Sequence, residues 1–322
     1  MKEARFISQN REKWKKMENW QALNAERLAA NFIELSDDLA YARTFYPDSR
    51  VVPYLNQLLA AYQGNIHARA KQKNRSVFYF WTHEMPSLLA SKYRTLLFAC
   101  CFFLFSVGIG VFSAAHEESF VRLILGDTYV NMTLENIRSG TPMGVYAQGK
   151  AWEMFLQILV NNVRVAFLAF AYGLFFSAGT LWILFQNGVM LGTFHYLFFK
   201  YGLLLHSSLS IWAHGTFEIT AIVVAGAAGL IMGDSFLFPG TYPRLYSFQQ
   251  GAMHGMKMVA GLVPFFILAA FVESYITRYA DATPAIGGFC VALSLIAVIA
   301  YFLWLPWVFR HKRCEITANL DI

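Results

Sequence analysis

His214 and Glu218 lie four residues apart in His-Gly-Thr-Phe-Glu, at the head of an uncharged stretch running from Ile219 to Gly233. On a helix this spacing puts an imidazole and a carboxylate on one face, one turn apart. In hydrocarbon each such group costs about 2.5 to 3.5 kcal/mol on insertion scales, so it persists where it is paired, hydrated or used. Three uses fit the chemistry: locking helices together, binding an ion or proton, and holding a metal. The metal use wants a third ligand, which His254 could supply, but the usual His-Glu-x-x-His zinc motif is absent. No Ser/His/Asp or Cys/His arrangement accompanies the pair, so no catalytic, cofactor-binding or metal-ligating residue is assigned and no enzymatic activity is expected.

The elements that must carry this pair are membrane helices. Hydrophobic residues make up 57% of the chain and charged residues 14%, a balance that ordinary soluble domains do not show. Thr95 to Ala115 and Ile286 to Phe309 carry no charge, and Trp152 to Phe199 holds only Glu153, Arg164 and His195. With a bilayer core of about 30 Å, the first two stretches each span once and the third spans twice. Adding a helix through His214 and another beyond His254 predicts six spans, near 94–115, 152–176, 178–202, 211–233, 254–278 and 286–309.

An even number of spans puts both termini on one side. Fifteen of the 26 Lys and Arg residues lie at or before Arg94, and Arg310, Lys312 and Arg313 follow the last span, so both ends read as cytoplasmic. His254 then enters its span on the side opposite His214, which argues against the metal use. The N-terminal segment is polar, so the first span is expected to direct insertion itself. The net charge of +6 sits beside membrane segments, where anionic lipid headgroups explain it and nucleic acid is not needed. The four cysteines, Cys100, Cys101, Cys290 and Cys314, have no metal-type spacing and read as small apolar fillers or free thiols.

Residues 1–92 read as a cytoplasmic helical domain. Phe6, Ile7, Trp14 and Met17 mark one apolar stripe; Leu28, Phe32, Leu35, Leu39 and Ala42 a second, ended by Pro47; Tyr54, Leu55, Leu58, Leu59 and Tyr62 a third. Three stripes can bury one another in a small bundle. The aromatic run Val77 to Trp81 predicts an interfacial helix before the first span. Residues 93–310 are the transmembrane domain and 311–322 a cytoplasmic tail. The fold class is all-α throughout.

Depth brings other polar residues toward the pair. At about 1.5 Å per residue, Glu218 and Glu273 fall about 9 Å below the outer end of their spans, and Arg164 about 18 Å along its own. One arginine could then serve two carboxylates with its planar fork. Asn161 and Asn187 can hydrogen-bond across helices, and Gly188, Gly192 and Gly215 can let backbones approach. The expected intramembrane cluster is therefore Arg164, His214, Glu218, Glu273, Asn161 and Asn187.

In their order along the chain, Phe6-Ile7 with Trp14, Asp38-Leu39-Ala40 with Ala42-Arg43, Leu55-Asn56, Asn161 with Arg164, Asn187-Gly188 with Gly192, and His214-Gly215 with Glu218 resemble the stage II sporulation protein M family. The resemblance implies a multi-pass protein of the bacterial or archaeal cytoplasmic membrane without established enzymatic activity. It also implies association with envelope or peptidoglycan-remodelling proteins, the founding type being a membrane anchor in engulfment. This chain departs from that type in its additional N-terminal helical domain. The first functional expectation is a non-enzymatic scaffold or regulator of an envelope complex, homodimeric and in contact with membrane lipids. The second is a transporter or channel whose Arg/Glu/His cluster binds an ion, a proton or a lipid headgroup.

Overall fold

The computed structural model describes residues 3–18, 25–73, 77–144, 150–277 and 284–318. Arg278 and the last residues of the tail, 319–322, lie outside them. The chain divides into two compact units, Met1–Phe80 and Trp81–Ile322. The division falls earlier than residue 92.

In the first unit, α1 (Glu3–Met17), α2 (Ala25–Phe45) and α3 (Val51–Lys73) stand where the apolar stripes place them, followed by the single turn α4 (Val77–Tyr79). Leu28, Leu35, Leu39 and Ala42 recur at whole helical turns and are buried with Phe6, Trp14, Met17, Leu55, Leu58 and Tyr62. This is a core of its own. Polar side chains fix the helices around it. The Trp14 indole N–H donates to Asp38 (2.8 Å), which also takes the Lys13 ammonium (2.6 Å), and the Tyr62 hydroxyl donates to the Met17 carbonyl (2.8 Å). Pro47 lies just past the end of α2, and the Ser49 hydroxyl accepts the Val51 N–H (3.1 Å), capping α3.

The Tyr54 hydroxyl donates to the Glu18 carboxylate (2.8 Å). Burial first, and this carboxylate second, push the Tyr54 phenol up to about 12 from its ordinary 10. A raised phenol stabilises the fold below the unfolded value and loses that contribution as pH climbs through the folded one. Between pH 10 and 12 the first unit should therefore lose stability, and Tyr54→Phe should flatten the loss. Unfolding midpoints against pH, read beside phenolate absorbance, check this; equal slopes in both proteins would count against it.

The second unit is a helical bundle. It comprises α5 (Met85–Ser91), α6 (Tyr93–His116), α7 (Glu118–Leu125), α8 (Asp127–Arg138), α9 (Ala151–Ala171), α10 (Ala178–Lys200), α11 (Leu204–Leu237), α12 (Arg244–Tyr275), α13 (Pro284–Val298) and α14 (Leu305–Ala318). A π-helical turn, Ile299–Trp304, joins the last two. Among the described residues, five helical segments are long and apolar enough to cross a membrane: Tyr93–His116, Ala151–Leu174, Leu204–Leu237, Arg244–Tyr275 and Ile286–His311. The expected span near 178–202 is the exception. Its helix, α10, has the length, but Gln186, Asn187, His195 and Lys200 dilute its apolarity.

Close approaches give the helix directions. Gly188 lies against Phe103 and Ser106 and Gly192 against Val107 and Val111, so α10 runs parallel to α6. Gly226 meets Leu184 while Gly229 meets Thr180, so α11 runs back the other way. Directions alternate along the chain, and α10 runs the bundle like the five apolar segments.

Residue size is distributed as a lipid surrounding demands. On α6 the buried face is Ala99, Phe103, Ser106, Gly110 and Ala114, while Leu97, Phe98, Leu104, Phe105 and Phe112 face outward. Small residues inward and large apolar ones outward is the packing of helices in lipid, where close contact rather than water exclusion holds them. Central α11 is buried nearly all round from Ala221 to Gly233, which explains its uninterrupted apolar sequence.

The segment just before α6 packs on the membrane bundle. Met85, Leu88 and Leu89 of α5 are buried, Trp81 donates to the Gly261 carbonyl (3.0 Å), and Glu84 pairs with Lys257. At the opposite end α7 and α8 turn at Gly126, whose φ of 83° favours glycine, and cover Ala114 and Leu197 with Val121 and Val130.

Candidate functional site

Two i, i+4 pairs make the site, one on α11 and one running from α12 to just past its end. α11 offers His214 and Glu218; α12 offers Glu273, with Thr277 one turn on. Because the helices run in opposite directions, His214 meets Thr277 and Glu218 meets Glu273. His214 Nδ1 and Thr277 Oγ1 are 3.1 Å apart, and His214 Nε2 lies 3.9 Å from Glu273 Oε2. One nitrogen of His214 and one oxygen of each glutamate all fall within 4.8 Å of one another. From α9 the Asn162 amide donates to Glu218. His214, Asn162 and Thr277 are buried, and the Glu273 side chain retains only 14% of its surface.

The expected arginine is not there. Arg164 and Asn161 are exposed on α9, while Asn162 faces inward. At 100° per residue, Arg164 points about 200° away from Asn162, so the helix cannot present both to one neighbour. Arg164 stands seven residues, about 10 Å, before the end of α9, a distance its long stem partly covers toward the headgroups. Asn187 is also apart: its amide donates to the Ile183 carbonyl of its own helix (2.8 Å). Of the expected cluster, the fold brings together His214, Glu218 and Glu273 and adds Asn162 and Thr277.

Sequence reading missed these last two for different reasons. Asn161 and Asn162 are adjacent, and only the rotation of α9 selects one. Thr277 carried a usable signal, its i+4 spacing from Glu273. The glycines divide as well. A Cβ on Gly188 would lie 2.6 Å from Ser106 Cβ, and one on Gly192 would lie 2.2 Å from the Val107 carbonyl oxygen. On Gly215 it would meet only the Ile211 methyl of its own helix, at 3.5 Å.

Two ionised carboxylates within 4.8 Å repel by at least about 3 kcal/mol at an effective dielectric of about 20. Among the described residues no Lys or Arg forms an ion pair with either glutamate. A bare acidic pair is a poor helix lock, because it needs a positive charge to become favourable. A shared proton or a cation meets that need. The 3.9 Å from His214 to Glu273 is close to twice a metal–ligand bond of about 2.1 Å, and one imidazole with two carboxylates suits a divalent transition ion. Glu273, rather than His254, stands where a third ligand would have to be.

Residues 99–278, more than half of the chain, match the family model described as stage II sporulation protein M. The chain belongs to the stage II sporulation protein M family. The match takes in α7 to α12 and most of α6, and therefore every residue of the site. Residues 4–68 match a separate model, a domain of unknown function (DUF8413). The likeness carried by Phe6, Trp14, Asp38 and Asn56 thus falls outside the stretch matched to the sporulation family. No curated protein and no solved structure matches the chain.

Proposed function

We propose that this member of the stage II sporulation protein M family is a transporter or channel whose His214–Glu218–Glu273 centre takes a divalent cation of the zinc or manganese type. One observation carries the reading: two carboxylates and an imidazole converge inside the bundle, and among the described residues no Lys or Arg is paired with them. In the absence of the metal, protons on the carboxylates relieve the repulsion. Asn162 orients Glu218, and Thr277 holds the His214 ring.

A second reading, a membrane scaffold or regulator of an envelope complex working as a homodimer, is favoured by the separate N-terminal unit with its own core. In it the helices α1 to α3 recruit partners such as peptidoglycan-remodelling proteins, and the membrane unit anchors them. Both readings take the cytoplasmic membrane as the location and the cytoplasm as the side of both termini, which the distribution of Lys and Arg supports.

Flux separates the two. The full chain in liposomes loaded with a Zn²⁺- or Mn²⁺-sensitive dye should pass the metal, and Glu218→Gln should abolish the signal while the protein stays folded. Metal bound without flux would favour the scaffold, with the ion as a structural brace. Neither binding nor flux would remove the cation reading altogether.

A further inference from the structure

Away from this centre, a groove of about 750 Å³ runs between α6 and the last crossing, floored by α10 and α11. Its wall is mainly leucine, valine, phenylalanine and tryptophan, with Cys100 and Thr220 among them. Along α6 it extends from Tyr93 to Val107, a rise of about 21 Å of helix. One leaflet of a bilayer core is about 15 Å deep, half of about 30 Å, so the groove has the reach of an acyl chain.

The two ends differ in chemistry. At the far end His195 accepts the Trp212 indole N–H (3.0 Å), so these polar groups serve each other and leave an apolar terminus. At the near end the Arg310 guanidinium lies 3.9 Å from the centre of the Tyr93 ring, and Arg94 donates to the Tyr93 hydroxyl (3.0 Å). Among the described residues neither arginine is paired with a carboxylate. Tyr93 and Arg310 line the mouth of this apolar slot and Arg94 is bonded to the same phenol, an arrangement that suits a phosphate joined to a hydrocarbon tail. A second copy of the chain would fill the slot with a helix but would leave the arginines without an anion.

We infer that this groove binds an anionic phospholipid from the leaflet at the Arg94/Arg310 end, its acyl chain along α6 and its phosphate on the two arginines. The inference does not rest on the cation centre and survives the loss of that reading. Full-length protein is passed through nanodiscs of phosphatidylglycerol or phosphatidylcholine with identical chains, and retained lipid is counted by native mass spectrometry. One phosphatidylglycerol per chain should remain, preferred about 25-fold, since each of the two arginines near an anionic headgroup contributes about fivefold. Replacing both Arg94 and Arg310 by Ala should erase the preference. Leu97→Trp, at an exposed groove position where the fold tolerates bulk, should lower retention of both lipids.

Equal retention of the two lipids by the unaltered protein would overturn the inference. Displacement of phosphatidylglycerol by inorganic phosphate alone would overturn it too, because the arginines would then form a phosphate site without a tail. So would cross-linking between copies through a cysteine at Leu104, which would make a second copy the occupant.

Discussion

Glu218→Gln and Glu273→Gln should each weaken binding of Zn²⁺ or Mn²⁺ by about 100-fold or more, because changing even an outer partner of a metal ligand costs about 10- to 100-fold. Arg164→Ala should leave the affinity within about twofold, since the side chain is exposed on the other side of α9. The contrast is sharp because depth along the spans assigns Arg164 to the same cluster. Asn162→Ala should fall between, at about tenfold, through the loss of its bond to Glu218. Binding in detergent, followed by titration calorimetry or by competition with a metal indicator, measures all four. Affinity should fall as the solution is acidified, because protons and metal compete for the same carboxylates. Wild-type affinity in Glu218→Gln would remove that residue from the centre.

Gly192→Val should unfold the membrane unit or lower its stability by about 3 kcal/mol or more, the upper range for overpacking a well-filled core. The new Cβ would sit 2.2 Å from the Val107 carbonyl oxygen and 2.9 Å from the Val111 nitrogen, both backbone atoms that cannot rotate aside. Relief requires α6 and α10 to separate along their shared face. Gly215→Ala supplies the comparison: its nearest new contact is ordinary at 3.5 Å, and alanine in place of glycine gains up to about 1 kcal/mol within a helix. Thermal unfolding in detergent should therefore move in opposite directions for the two variants. A Gly192→Val protein as stable as the parent would mean that α6 and α10 are not held at this distance.

Much of the fold was legible because the relevant signals are local. The three apolar stripes of the N-terminal unit, the uncharged spans and the His214–Glu218 spacing each lie within a few turns of one helix, where periodicity translates directly into a face. The shared level of Glu218 and Glu273 was legible too, because antiparallel neighbours of similar length bring residues at equal depth together. Asn187 on α10 was not legible in the same way. A polar residue within a helix can satisfy itself on the preceding turn, as Asn187 does on Ile183, and composition alone does not distinguish this from a bond across helices.

The amino-acid sequence by itself determined that this is an all-α membrane protein, where its helices run, and that a histidine and a glutamate share a face within them. Tertiary structure alone decided the company they keep. A membrane helix such as α9 is apolar around most of its circumference, so its pattern does not say which side meets the bundle; packing turned Asn162 inward and Arg164 outward. Among the described residues the same rotation leaves the acidic pair without a Lys or Arg partner, which is the ground for proposing a cation there in place of the expected helix lock.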